Sequence, residues 1–121
     1  MNTEMKKLIL EQAVFTLASR FIEGYAGGLW GFDKDAFVWF PKGNEKHTIS
    51  NCNNYFEGVL DSLTVGFALS GMAANHLSWM AHDSGKMNEA REWDDLWRNI
   101  MQNADQKLNQ EQMGLLFAFL D

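Results

Sequence analysis

The chain has 121 residues, 46% of them hydrophobic and 21% charged, with one proline, one cysteine and a formal net charge of −6. That size and balance suit one globular domain with its own core, and no Gly/Ser-rich linker, repeat or low-complexity tract divides it. Residues 1–56 carry six acids and six bases and residues 57–121 carry ten acids and four bases, so the Lys/Arg clustering that nucleic acid binding needs is missing and direct DNA or RNA binding is not expected.

From Thr3 to about Glu23, the residues Leu8, Leu10, Ala13, Val14, Leu17, Ala18, Phe21 and Ile22 recur at three-four spacing, which predicts a first helix with Thr3 as its cap. Gly24-Tyr25-Ala26-Gly27-Gly28 ends it. Leu29-Trp30-Gly31-Phe32 and Ala36-Phe37-Val38-Trp39-Phe40 read as two strands joined by a short loop, Asp33-Lys34-Asp35. A polar turn from Pro41 to Lys46 precedes a third strand at His47-Thr48-Ile49-Ser50, and Asn51-Cys52-Asn53-Asn54 is a further turn, because Asn tolerates the left-handed region. Four consecutive residues, Phe37 to Phe40, cannot all point inward from one strand, so an aromatic left on the outer face is expected as a partner anchor.

Asp61 or Ser62 caps a second helix that runs to about His82 and stops at Asp83-Ser84-Gly85. Its apolar stretch from Leu63 to Met80 approaches membrane-spanning length, but Ser70, Asn75, His76 and Ser78 interrupt it, which makes it a buried core helix. Small residues there, Gly66, Ser70, Gly71, Ala73 and Ala74, allow neighbouring elements to come close. A third helix spans Met87 to about Asn103, with Trp93, Leu96, Trp97 and Ile100 on one face and Glu89, Glu92, Asp94 and Asp95 on the other. Asn109 caps a last helix from Gln110 to Leu120. The expected fold is a single compact α+β domain: an N-terminal helix, a small antiparallel sheet of about three strands, then three helices.

Catalytic and metal chemistry find little support. His76 and His82 are six apart, about 120° from a shared helix face, and a zinc site with Cys52 and His47 would need two more N or S ligands. Cys52 paired with His47 or His76 could in principle act as a nucleophile, yet no Gly-x-Ser-x-Gly, phosphate loop or dinucleotide fingerprint occurs, and Gly24 to Gly28 precedes a strand where those loops follow one. No cofactor or metal is expected, and no enzymatic activity. The acids Glu89, Glu92, Asp94 and Asp95 could imitate DNA phosphates, but Lys86, Arg91 and Arg98 interleave with them, which favours an ordinary solvated face. A lone cysteine forms no internal disulfide and the N-terminal residues lead into too few apolar ones for a signal peptide, so cytoplasmic residence is the expectation.

The segment Gly24-Tyr25-Ala26-Gly27-Gly28-Leu29-Trp30, together with Asn53-Asn54-Tyr55-Phe56-Glu57-Gly58, Gly66, and the final Leu116-Phe117-Ala118-Phe119-Leu120-Asp121, resembles the ArdB/KlcA-type antirestriction family. Ala26 stands where that family usually has Asn, and Leu63 where it usually has Asp. The resemblance implies a compact α+β fold and a protein of plasmids, phages or integrated elements that inhibits type I restriction-modification enzymes. It implies a protein partner, no DNA mimicry, no membrane, and no catalytic residue to transfer. Tyr25, Gly27, Gly28, Trp30 and Asp121 are the candidate partner-binding residues; Tyr25 and Trp30 could equally brace the corner between helix and sheet.

Overall fold

The computed structural model describes residues 1–121. In chain order the elements are α1 (Thr3–Phe21), β1 (Trp30–Asp33), β2 (Val38–Pro41), β3 (Lys46–Asn51), β4 (Phe56–Asp61), α2 (Ser62–Asp83), α3 (Met87–Lys107) and α4 (Gln110–Leu120). The order of helix, strands and three helices in an α+β domain is the expected one.

Three of the four helices begin where a side chain takes up free N–H groups; α3, which starts after Lys86, has no such cap. Asn2, rather than Thr3, caps α1 by accepting from Met5 N–H at 2.8 Å. Asp61 caps α2 through Thr64 N–H at 2.9 Å. At α4, Asn109 and Gln112 bond to each other's backbone N–H at 2.8 Å, a reciprocal capping box. Gln112 Nε2 also donates to the other Asp61 oxygen at 2.7 Å, tying the starts of α2 and α4 together.

α2 is the central element, packed against α1, α3, α4 and β2. That explains why Thr64 to Gly71 are all buried, whatever side of the helix they occupy. α1 contributes the stripe Leu10, Val14, Ala18 and Phe21, and α3 contributes Ala90, Trp93, Ile100 and Ala104. The closest approach is at Gly66: a Cβ placed there would lie 2.6 Å from Phe40 Cβ and 3.0 Å from the Trp39 carbonyl oxygen. Only glycine lets α2 sit this near β2.

The strands differ from the expected single sheet. There are four, in two separate antiparallel hairpins, β1 with β2 and β3 with β4. β4 escaped prediction because Gly58 interrupts its alternation; that glycine makes room for the Phe56 ring, 2.7 Å from where a Cβ would stand. The hairpins stay apart because the outer edge of β2 is already occupied. The Ser70 hydroxyl accepts from Trp39 N–H at 2.9 Å and donates to Trp39 C=O at 3.1 Å, standing in for a third strand.

The expectation of an outward aromatic between Phe37 and Phe40 is also corrected. Val38 and Trp39 are buried, and Phe37 and Phe40 are half-buried. β2 is covered on both sides, by α2 at Gly66 and Ser70 and by α1, whose Lys7 carbonyl accepts from Trp39 Nε1 at 3.1 Å. The Lys7 ammonium lies 4.8 Å from the Phe32 ring centre. A strand buried on both faces can carry a continuous apolar run.

Candidate functional site

The Gly24–Trp30 segment turns the chain from α1 into β1 and walls an open cleft of about 470 Å³. The opposite walls come from Pro41 at the end of β2 and Lys42 just beyond it, and from Glu45 with the first residues of β3, Lys46 to Thr48. Two hydrogen bonds pin the ends of the segment: Glu23 N–H to Thr48 C=O, and Lys42 N–H to Leu29 C=O, each 2.9 Å. Between them only Tyr25 N–H is bonded, to Ile22 C=O at 3.3 Å.

Gly27 and Gly28 have φ of 96° and 132°, and a Cβ at either would meet nothing within 4 Å. Their glycine identity therefore serves backbone shape and not close packing, which separates two uses that the residue type alone leaves open. They contrast with Gly66, where space is the constraint.

The aromatic residues of the segment are braced. Trp30 meets Phe15 edge-on at 5.5 Å and Tyr25 at 6.3 Å, and both rings are half-buried. The fully presented side chain is Leu29, 79% exposed on the cleft wall. The strand expected from Leu29 to Phe32 begins one residue later, at Trp30, which leaves Leu29 in the loop; a large apolar residue directly after two glycines is the sequence signal for its exposure.

Tyr25, Gly27, Gly28 and Trp30 thus share one cleft, and Asp121 lies elsewhere. Asp121 follows α4, whose last carbonyls are held by the β3–β4 turn: Asn51 Nδ2 donates to Phe119 C=O at 3.1 Å, and Asn54 Nδ2 to Ala118 and Phe119 C=O at 3.1 and 3.0 Å. The Phe119 ring packs on Phe21 and Phe56, with centres 5.4 and 6.0 Å apart. This clamp joins the Asn53–Gly58 segment to the C-terminal residues, 64 positions away in sequence. The exposed Asp121 stands at the far end of β3 from the cleft.

Cys52 is exposed in the β3–β4 turn, whereas His47 is at the other end of the same strand, with Nε2 3.3 Å from Ser62 Oγ. His76 is exposed on α2. No group of three or more His, Cys, Asp or Glu side chains converges as metal ligands would. On α3, two of the four acids are engaged within the protein: Glu92 with the Met1 amino group at 3.3 Å and Lys6 at 3.6 Å, and Asp94 with Arg98 at 3.1 Å. The Met1 amino group and Lys6 hold the Glu92 carboxyl below its ordinary value.

Two other carboxylates are depressed. Partial burial pulls Asp33 upward, but N–H donation from Ala36 and Asp35 and the ion pair with Lys107 at 3.1 Å outweigh it. At Asp61 partial burial is likewise outweighed, by the hydroxyl and backbone N–H of Thr64, the Gln112 amide and the charge of Lys46. Asp33 anchors the β1–β2 turn to the end of α3, and Asp61 joins the two caps. No helix is long and apolar enough to cross a membrane.

These features define a small α+β domain in which two β-hairpins, packed on a helical layer, frame a glycine-walled cleft. No family model matches the sequence. The chain is 30% identical over 105 residues to the protein of Escherichia coli K12 named "Putative antirestriction protein YubI", covering 77% of this chain and 70% of that protein. It is 32% identical over 74 residues to "Uncharacterized protein YafX" of the same strain, covering 57% of this chain and 49% of that protein. The chain belongs to the antirestriction protein family of which YubI is a member.

Proposed function

We propose that this protein protects incoming DNA by inhibiting a type I restriction-modification enzyme through a protein contact in the cytoplasm, without a catalytic step, the role that its resemblance to the ArdB/KlcA-type proteins of plasmids and phages implies. The membership shared with YubI supports an antirestriction role. The observation that carries the protein-directed reading is the cleft itself. Its glycines hold a positive-φ backbone that no packing demands, and its wall presents Leu29 to solvent. Such a preformed corner with one exposed apolar side chain suits a partner surface. Tyr25, Gly27, Gly28 and Trp30 shape the contact, and Asp121 is an outlying point of it beyond the far end of β3.

Plating unmodified phage on cells with an active type I system tests the reading. Cells producing the protein are expected to restrict the phage less; equal restriction with and without it removes the proposal. Leu29→Asp is expected to lose protection while folding normally, since Leu29 is mostly in solvent. Cys52→Ser is expected to leave protection unchanged, and its loss would favour a thiol-dependent activity instead.

A further inference from the structure

β3 has one edge paired with β4 along its whole length. On the other edge, the Thr48 carbonyl accepts from Glu23 N–H, and this fixes the direction of every peptide group in the strand. Along an antiparallel strand successive residues alternate between facing the partner and facing away. Thr48 faces away from β4, so Lys46 does too, whereas His47 and Ile49 face it. The outer edge is engaged at the isolated Ile22–Ile49 bridge and at Glu23. Beyond that point the chain leaves β3 through Gly24 to Gly28, and neither Thr48 N–H nor the Lys46 peptide groups receive a partner from it. The free edge opens into the 470 Å³ cleft.

We propose that this free edge of β3, from Lys46 to Thr48, accepts an extended segment of a partner protein as an added strand. The inference rests on the reading of the cleft as a protein contact and names what enters it. Donors and acceptors spaced along a strand edge are matched by another extended backbone, whereas a helix has already used its own main-chain groups. Leu29 and the ring of Tyr25 provide the apolar wall for a side chain of that segment. A second copy of this chain is a poor occupant. Self-pairing of this short edge would bring Lys46 near its own counterpart, and lysines on an edge oppose such pairing. Gly27 and Gly28 then have a purpose: their positive φ values carry the loop clear of an edge that would otherwise be covered.

Selection of a displayed library of random short peptides on the folded protein tests this without a restriction enzyme. Binders are expected, and a bound peptide should slow amide exchange at Lys46 and Thr48, which exchange fast in the free protein, while His47 and Ile49 are slow in both. Lys46→Pro removes one outward N–H at the first position of the strand without touching the β3–β4 ladder. It should weaken binding by about tenfold, the scale of one or two main-chain hydrogen bonds. Lys46→Ala should bind within about twofold of wild type, as main-chain recognition requires. The proposal is overturned if no peptide is enriched, if Lys46→Pro and wild type bind equally, or if the Lys46 and Thr48 amides stay unprotected in the wild-type complex. The last reading needs no variant to fold. Phage protection with no strand added at β3 would remove this inference alone, and the converse would remove only the antirestriction reading.

Discussion

Ser70 takes the place of a strand. Its side chain is fully buried and its one hydroxyl serves both main-chain groups of Trp39, at 2.9 and 3.1 Å. Ser70→Ala removes a single oxygen, leaving too little room for water to re-enter, so a buried N–H and a buried C=O lose their partners together. An unsatisfied buried group costs about 1–3 kcal/mol, which puts the loss of two at about 2–6 kcal/mol, with about 3 kcal/mol toward the lower end. With roughly 2.1 cal/mol/K of unfolding entropy per residue and 121 residues, 3 kcal/mol lowers the melting temperature by about 12 °C. Calorimetry with urea unfolding at neutral pH measures this, and Ser78→Ala is the internal reference. Ser78 makes one bond, to the Ala90 carbonyl at 3.0 Å in a helix, and its loss should cost at most about 1 kcal/mol. The Trp39 amide should also exchange faster in Ser70→Ala, while its neighbours on the β1 side change only with global stability. If the two variants destabilise equally, or the Trp39 amide is unaffected, the hydroxyl is not what closes the edge of β2.

Two glycine substitutions separate space from backbone angle. Gly66→Ala drives a Cβ to 2.6 Å from Phe40 Cβ and should destabilise by about 1–3 kcal/mol or more, read by urea unfolding. Gly27→Ala has open space but a φ of 96°, so it should cost about 1–2 kcal/mol at most and disturb the cleft more than the core. In α4, Gly114 sits in mid-helix with nothing within 4 Å of an added Cβ; Gly114→Ala should stabilise by about 0.5–1 kcal/mol, and a drop in melting temperature would mean the position is used. The depressed Asp33 and Asp61 carboxyls contribute stability that is full above their ordinary value of 3.8 and is lost as pH falls through their lower native values. Asp61→Asn keeps the cap but not the charge, so the urea midpoint should fall less steeply between neutral pH and pH about 3 than in wild type; parallel losses would place the acid sensitivity elsewhere.

What the sequence made legible was local. Asp61 and Asn109 announce α2 and α4 because a cap needs only residues two or three positions on, and the α1 stripe needs only its own period. What stayed hidden depended on partners far along the chain. The division into two hairpins follows from Ser70 meeting Trp39, 31 positions away, and the inward run Phe37 to Phe40 follows from cover on two sides that no single strand period encodes. The Asn54 amide likewise gains its meaning only when α4 arrives 64 positions later.

The same distinction sorts the residues behind the family resemblance. Asn54 holds the end of α4, Gly58 yields to Phe56, and Gly66 admits β2, so each is accounted for by the fold's own packing. Gly27 and Gly28 are not. Nothing crowds them and nothing bonds to them, yet their dihedral angles are ones that other residues resist. Past Glu23 the chain runs through them along the wall of the cleft that β3 also lines, with Leu29 79% exposed there. A fold under no demand but stability would gain by letting this segment pair with Lys46 and Thr48. Leaving those groups open is a cost to the free protein that a docking strand would recover.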